Sequence, residues 1–393
     1  MAEEVLRIIA RLNVGGPAKH VYWLSNGLSE QGWKHSLLYG RVEENEDELN
    51  LFESDTPVHL IELPIMARSI NPVKDIKTIL FILRFLKQNP QIKICHTHTS
   101  KAGFVGRIAA FLHNITKGKQ AVKVLHTFHG HTFNGYFTGL KQALFLFIER
   151  FLAAFCTDII ITISQKQQDE IAGKYRVGQL HKHRIIPLGL DFSFAGKLDR
   201  TALRKQFNIP SEARVFAIVG RVAPIKDHLL FIESIRAFQE KNPESDCWFC
   251  IIGDGDPDLM QKCRERVSEL QLKNTIFTGN QNNPAEIYGL PDFLVLSSIN
   301  EGTPVSILEA FTARIPVISA TVGGVSDIIG DNKRGLLVKE RNPEDFARCY
   351  EEALTKDWAE TVEAAAKYVQ EKHSLTNLAN SIKNLYDSLL QTP

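Results

Sequence analysis

Short apolar runs alternate with longer stretches in which apolar residues recur every three or four positions, almost from end to end of the chain. The short runs predict strands: LRIIARL, HSLLYG, VHLIEL, IKICHTH, VKVLHTFH, DIIITIS and HRIIPLG, then RVFAIVG, CWFCIIG, NTIFTGN, DFLVLSS, PVISA and GLLVK. The periodic stretches predict helices, among them AKHVYWLSNGLSEQG, VKDIKTILFILRFLKQ, KAGFVGRIAAFLH, DHLLFIESIRAFQEK, LMQKCRERVSELQ and EDFARCYEEAL. Strands that are apolar throughout are covered on both faces, and strand–helix alternation supplies the cover, so the pattern predicts parallel sheets of the α/β class.

Two such series follow one another, with a break near residues 192–200. The chain of 393 residues is too long for one ordinary core. Two Rossmann-like, doubly wound domains are expected, at 1–195 and 196–372. A last segment, 373–393, comes too late to belong to the second sheet. Leu375, Leu378, Ile382, Leu385 and Leu389 lie on or near one face of its predicted helix, which is expected to pack back on the first domain.

Charge refines the picture. The formal net charge of +1 argues against a nucleic-acid binder that works by bulk charge. The halves differ: residues 1–195 carry 23 Lys and Arg against 17 Asp and Glu, and the rest carry 23 against 28. Five acids of the first half, Glu43, Glu44, Glu46, Asp47 and Glu48, sit in one run, so its other surfaces are more basic still. An anionic partner or membrane surface on the first half, or a plain solvated face, accounts for this. The start, MAEEVLRIIA, reads as a strand rather than a signal peptide. The most apolar stretch, LKQALFLFIERFLAAFCTDIIITIS, is broken by Glu149, Arg150 and Asp158 and is not expected to span a bilayer. Six scattered cysteines fit a reducing compartment, and a cytoplasmic location is expected. Cys247 and Cys250 form a CxxC, but inside a predicted strand, where residues three apart face opposite sides.

Open parallel sheets bind ligands at the carboxyl ends of their strands. Gly15 and Gly16 follow the first strand without the GxGxxG spacing, and can bring backbone amides close to a phosphate or sugar. Arg221 and Lys226 share the loop after RVFAIVG, where two cations suit a diphosphate. Asp254, Asp256 and Asp258 form a turn that also has the look of a metal site; the turn is the preferred reading. In EGTPVSILE, Thr303 is expected to cap a helix whose first residue is Pro304. Amides near Val305 and Ser306 would add to an anion site, Glu309 could accept from ribose hydroxyls, and Glu301 could accept from a sugar. His126, His129 and His131, with His96 and His98, cluster at two strand ends; a structural role and contact with a substrate hydroxyl both fit.

In order along the chain, NVGGPAKH, TFHGH, PLGLD, GRVAPIKD, IIGDGD, FTGN, EGTPVSILEA and TVGGVSDII resemble the retaining glycosyltransferases of the GT-B fold, family 4. The resemblance covers nearly the whole chain. It implies a nucleotide diphosphate sugar held by the second domain, an acceptor held by the first, and a C-terminal helix that crosses back. Carried over by position, Arg221 and Lys226 would hold the diphosphate, Glu309 the ribose, and Glu301 the transferred sugar. Gly302, Thr303, Pro304 and Val305 would line that site, with Gly15, Gly16, Gly253 and Asn280. His129 would touch the sugar near the reacting carbon, and His20 and His131 would meet the acceptor. Ser326 and Asp327 stand where the family often has Pro-Glu, and FTGN runs into QNN rather than a basic residue, which leaves the base open.

The implied chemistry is transfer of a hexose or N-acetylhexosamine, from a UDP-sugar for preference, with retention, without a cofactor or metal. A GT-B epimerase or phosphorylase, or a non-catalytic nucleotide-sugar-binding partner, is the alternative. Arg68, Lys74, Lys77, Arg84, Lys87 and Lys93 among Ile, Leu and Phe add the expectation of peripheral contact with an anionic membrane.

Overall fold

The computed structural model describes residues 4–13, 15–42, 48, 52, 56–66, 71–117, 122–130 and 139–391. His131, Arg68 and the acids at 43–47 lie outside the described residues. The chain divides into two compact units, Met1–Gly189 with Leu375–Pro393, and Leu190–Ser374.

In the first unit the elements are β1 (Glu4–Ile9), α1 (Gly16–Glu30), β2 (Lys34–Tyr39), β3 (Val58–Glu62), α2 (Pro72–Gln88), β4 (Ile92–His98), α3 (Ser100–Lys117), β5 (Lys123–Phe128), α4 (Gly139–Phe155), β6 (Ile159–Thr162), α5 (Gln165–Gln168) and β7 (His183–Ile185). The second holds α6 (Ala202–Gln206), β8 (Val215–Val219), α7 (His228–Lys241), β9 (Trp248–Ile252), α8 (Pro257–Glu269), β10 (Thr275–Gly279), α9 (Pro284–Ile287), β11 (Phe293–Leu296), α10 (Val305–Thr312), β12 (Val317–Ala320), α11 (Val325–Ile329), β13 (Leu336–Val338), α12 (Pro343–Thr355) and α13 (Ala359–Lys372). The last helix, α14 (Leu375–Gln391), returns to the first unit.

Each unit is built on one sheet, in the orders β3-β2-β1-β4-β5-β6-β7 and β10-β9-β8-β11-β12-β13. The strands of both sheets pair in parallel. Strand order reverses beside β1 and β8, so the loops after those strands open at a switch point, where such sheets bind ligands. Every predicted apolar run forms a strand.

Helix starts follow local chemistry. Asn71 accepts from the Lys74 amide at 3.1 Å ahead of Pro72, and Asp256 accepts from the Leu259 amide at 3.0 Å ahead of Pro257. The expected cap at Thr303 is corrected by one residue: Pro304 precedes the first helical residue, Val305, and no side chain caps α10. Proline with ψ of 111° is extended, outside the helical range.

The second unit packs Phe216, Phe238, Phe249 and Tyr350 at its centre. In the first, Leu378, Ile382 and Tyr386 of α14 join Val5, Leu24, Leu28 and Ile94. Arg107 of α3 is fully buried; its guanidinium bonds both carboxylate oxygens of Glu149 on α4 at 2.9 and 2.7 Å, and the Gly103 carbonyl at 2.8 Å.

Candidate functional site

In the second unit, the loops after β8, β9 and β10 are stitched by backbone bonds: Gly220 N to Ile252 O (2.9 Å), Gly253 N to Gly279 O (3.0 Å) and Val222 N to Asp254 O (2.9 Å). A Cβ at Gly253 would stand 2.3 Å from the Gly220 carbonyl oxygen, and its φ of +135° also excludes ordinary residues, so the close approach requires glycine. Asp254 accepts from the Gly255 amide at 2.8 Å and Asp256 caps α8, so those two carboxylates serve the turn and the helix start.

Lys226 ends a 3-10 turn, Pro224–Lys226. Its backbone and that of Asp227 accept from Ser297 Oγ at 3.0 and 2.9 Å, and Ile299 N donates to Ile225 O at 2.8 Å. These bonds lock the loop after β8 to the loop after β11. Lys226 Nζ lies 2.5 Å from Glu301 Oε1, which also accepts from Ser298 Oγ at 2.6 Å. Glu301 is held from its backbone as well: its carbonyl accepts from the Gly324 amide at 3.0 Å. A Cβ at Gly323 would fall 1.7 Å from that carbonyl oxygen, so the TVGG turn must carry glycine there for Glu301 to keep its place.

Glu309 sits in the second turn of α10, buried, with Oε2 accepting from Tyr288 OH at 2.6 Å. Burial, then the Glu309 charge, push the Tyr288 phenol well above its usual range, so it stays a donor. Thr303 is buried with its hydroxyl unpartnered. The amides of Val305 and Ser306 open α10 and have no carbonyl a turn earlier to bond. The second unit thus brings together Lys226, Glu301 and Ser298, with Thr303, Pro304, Val305 and Glu309 in the segment that follows; Arg221 is exposed on the loop after β8 and Asn280 on that after β10. Tyr288 and Ser298 were not singled out in the sequence. Nothing in their spacing flags them, since both act through side chains folded back onto Glu309 and Glu301.

A cavity of about 480 Å³ lined by Arg200, Arg204, Lys205 and Asp292 lies at the opposite, amino-terminal ends of β8 and β11. Arg204 is consumed there by Asp292 and several carbonyls, so it does structural work.

In the first unit, Gly15 precedes α1, and a Cβ there would meet nothing nearer than 3.9 Å, so packing does not demand glycine. One turn after Gly16, His20 is buried on α1. Its ring centroid lies 4.7 Å from that of His129 and 5.7 Å from that of His98. His98 Nδ1 and His129 Nε2 share a bond of 3.0 Å. His96 is held at both nitrogens, by Tyr386 OH (2.6 Å) and Thr127 Oγ1 (2.7 Å). Arg7 donates to Ser25 Oγ at 2.5 Å and to Tyr386 OH at 3.3 Å. Burial first, and neighbouring imidazoles and Arg7 after it, hold His20, His96 and His98 well below the usual histidine range; burial lowers His129 to about 3. His96 and His126 have structural partners, the latter Thr97 Oγ1 at 2.8 Å. The roles of Arg7 and Tyr386 escaped the sequence reading, because the two are 379 residues apart and meet only when α14 docks on the first sheet.

Two parallel sheets with Rossmann strand order and a polar constellation at the carboxyl ends of the second sheet define a nucleotide-binding α/β architecture. Comparison with known proteins makes the class specific. "Glycosyltransferase Family 4" matches residues 14–194 and "Glycosyl transferases group 1" matches residues 199–372. The chain belongs to the GT-B glycosyltransferases of the family 4 kind. It is similar to the UDP-Gal:alpha-D-GlcNAc-diphosphoundecaprenol alpha-1,3-galactosyltransferase of Escherichia coli, 29% identical over 294 residues that span 74% of each chain. A putative teichuronic acid biosynthesis glycosyltransferase of Bacillus subtilis is 30% identical over 234 residues, 58% of this chain and 54% of that protein. Among solved structures, sucrose-phosphate synthase from Thermosynechococcus elongatus superposes with a TM-score of 0.80 at 20% identity, covering 100% of both chains. Anabaena HepE in complex with UDP and glucose gives 0.78 at 18%, covering 98% of this chain and 100% of that one.

Proposed function

We propose that this glycosyltransferase moves a hexose or N-acetylhexosamine from a UDP-sugar to a hydroxyl of a saccharide or lipid-linked acceptor, with retention and without a metal, in glycan or glycolipid synthesis. The observation that carries the reading is the Lys226–Glu301–Ser298 constellation beside α10, at the carboxyl ends of the second unit's strands. Lys226 has three N–H donors, of which Glu301 takes one, leaving two for diphosphate oxygens. With Arg221 and the first amides of α10, it would stabilise the charge that develops as the diphosphate leaves. Glu309, oriented by Tyr288, is the ribose acceptor, and Glu301, fixed by two donors, is the sugar acceptor. Glu301 Oε1 already serves Lys226 and Ser298, which disfavours it as a nucleophile; attack on the face from which the diphosphate departs is the mechanism we favour. The E. coli relative is named for transfer from UDP-Gal to an undecaprenol-linked GlcNAc in α-1,3 linkage. An α product from an α-linked donor is retention.

Peripheral membrane association belongs to the same reading. No helix among the described residues is long and apolar enough to cross a membrane. The first unit nevertheless exposes Leu140, Leu144, Phe147, Phe151 and Phe155 along α4, and on α2 exposes Val73, Ile76 and Leu80 among Lys74, Lys77, Arg84 and Lys87. The face that α2 buries is a different one, Asp75, Thr78, Ile82 and Leu86, so the outward apolar residues are not core. Salt-sensitive sedimentation with anionic but not neutral vesicles is expected, and no binding to either at low salt would remove this part.

Incubation with a panel of nucleotide sugars and a GlcNAc-diphosphate-lipid acceptor in excess EDTA tests the transfer itself. A product of retained anomeric configuration is expected by NMR. An inverted product, or activity lost to EDTA and restored by Mn²⁺ or Mg²⁺, would overturn the mechanism.

A further inference from the structure

Three loops of the second unit meet beside Lys226, and the side chain of Arg341 ties them together. Arg341 follows β13, the edge strand of the second sheet, which β12 separates from β11. Its Nε–H is shared between the carbonyls of Ser297 and Ser298, each at 3.3 Å, in the loop after β11. Its Nη2 donates to Asp227 Oδ2, in the loop after β8. Both contacts lie one step from the donor constellation. Asp227 directly follows Lys226, and Ser298 donates to Glu301 Oε1 at 2.6 Å. The base of the arginine arm is fixed as well: Glu340 N donates to Asp345 Oδ2 at 2.8 Å, and Asn342 Oδ1 accepts from the Asp345 amide at 2.8 Å to cap α12. Asp227 is held from every side. Its backbone is left-handed, with φ of 49°, its Oδ1 accepts from the Leu230 amide at 3.3 Å to cap α7, and its carbonyl accepts from Ser297 Oγ at 2.9 Å. Oδ2 is left for Arg341.

We propose that Arg341 is a positioning residue for the transfer reaction: by clamping Asp227 and the Ser297–Ser298 backbone it fixes the separation of the loops that carry Lys226 and Glu301, and with it the place of the donor's diphosphate. The inference rests on the reading that Lys226 holds that diphosphate. Lys226 and Glu301 come from loops 75 residues apart in sequence, so their 2.5 Å contact depends on how those loops are set against each other. Backbone and serine bonds join the two loops directly, at Ile225 with Ile299 and at Ser297 with Lys226 and Asp227. Arg341 braces the same junction from a third loop. The planar guanidinium suits the task, because its fork of donors serves two carbonyls and a carboxylate in fixed directions, which a single ammonium does not. The ion pair is part-exposed, with the Arg341 and Asp227 side chains 32% and 25% accessible. A pair of that kind contributes little to stability. Its effect is therefore expected on the rate of transfer, where small displacements of a group near the reacting bond weigh heavily.

The test compares Arg341→Ala, Arg341→Lys and Asp227→Asn in the full chain, by melting curves and by initial rates of transfer from a UDP-sugar over ranges of donor and acceptor concentration. Asparagine keeps a capping oxygen and tolerates left-handed backbone, so Asp227→Asn removes the charge alone. Arg341→Ala and Asp227→Asn are expected to melt close to wild type and to lose about tenfold in kcat/KM for the donor, with the acceptor KM unchanged. Arg341→Lys, which restores a charge opposite Asp227 without the fork, should recover about threefold of that loss. Added to Lys226→Ala, Arg341→Ala should cost less than about twofold more, since the cation it positions is gone. Wild-type donor kcat/KM in folded Arg341→Ala, an equal rise in acceptor KM, or a full tenfold further loss on top of Lys226→Ala would overturn the clamp and leave the Lys226 reading standing. Wild-type rates in Lys226→Ala alone would remove that reading, and the clamp with it. Should Arg341→Ala fail to fold, Asp227→Asn carries the same comparison, with the same outcomes deciding it.

Discussion

The two units share an architecture and treat their polar groups in opposite ways. The second places Lys226 and Glu301 part-buried and Ser298 buried, on loops that follow strands, each within a few residues of a motif. The first buries Arg7, His96 and His98 on its strands and Tyr386 on α14, in contacts that span the length of the chain. A loop site of the former kind is open to ligand and costs little to maintain. A buried network of the latter kind ties stability to protonation and to every member's presence.

Acid is the largest lever on that contrast. Burial lowers His35 to about 2 and His129 to about 3, and holds His20, His96, His98 and His126 well below the usual range, all in the first unit. In the second, burial and Lys226 lower His228 to about 4. The unfolded chain takes up these protons near pH 6.5 and the folded chain refuses them, so the stability is complete above about pH 6.5 and is lost as pH falls toward the folded values. At pH 5 each such histidine costs on the order of 2 kcal/mol. Hydrogen exchange in EDTA at pH 7 and pH 5 should therefore show β4 and β5 losing far more protection than β8 and β9. Equal losses would break the contrast.

The buried ion pair comes next. Glu149→Ala leaves Arg107 charged and uncompensated and is expected to cost about 3–5 kcal/mol, read by chemical denaturation. A loss below about 1 kcal/mol would mean that Arg107 finds another partner.

Much of this was legible beforehand, for physical reasons. Apolar strands in parallel sheets announce themselves as unbroken runs, and all predicted runs pair. The glycine turns and the Glu301–Glu309 block were readable because each is a short local stretch, whereas Lys226 meets Glu301 across 75 residues. Glu149 was read as a break in an apolar stretch; the structure makes it the partner of Arg107, 42 residues away. The stretch around it becomes α4, whose outward Leu and Phe stripe no polarity pattern explained. The helix cap at Thr303 was misplaced by one residue because Pro304 fits both sides of a helix start. The histidine cluster was legible in part: the strand-end residues were singled out, but His20 joins them only by the docking of α1 on the sheet.

A smaller effect isolates the network. Tyr386→Phe removes the hydroxyl shared by His96 and Arg7 and should cost about 1–3 kcal/mol of stability while leaving nucleotide binding unchanged. Thermal melts with and without UDP read both, and a loss of UDP stabilisation in this variant would mean that the two kinds of site are not separable.

The central claim is that Lys226 and Glu309 hold the diphosphate and ribose of the donor. Initial rates of transfer from a UDP-sugar at limiting donor, for wild type, Lys226→Ala and Glu309→Ala, with melting curves to verify folding, test it most directly. Each variant is expected to fold and to lose at least tenfold in kcat/KM, and about a hundredfold for Lys226→Ala if its charge acts on the leaving group. Wild-type rates in both folded variants would contradict the assignment.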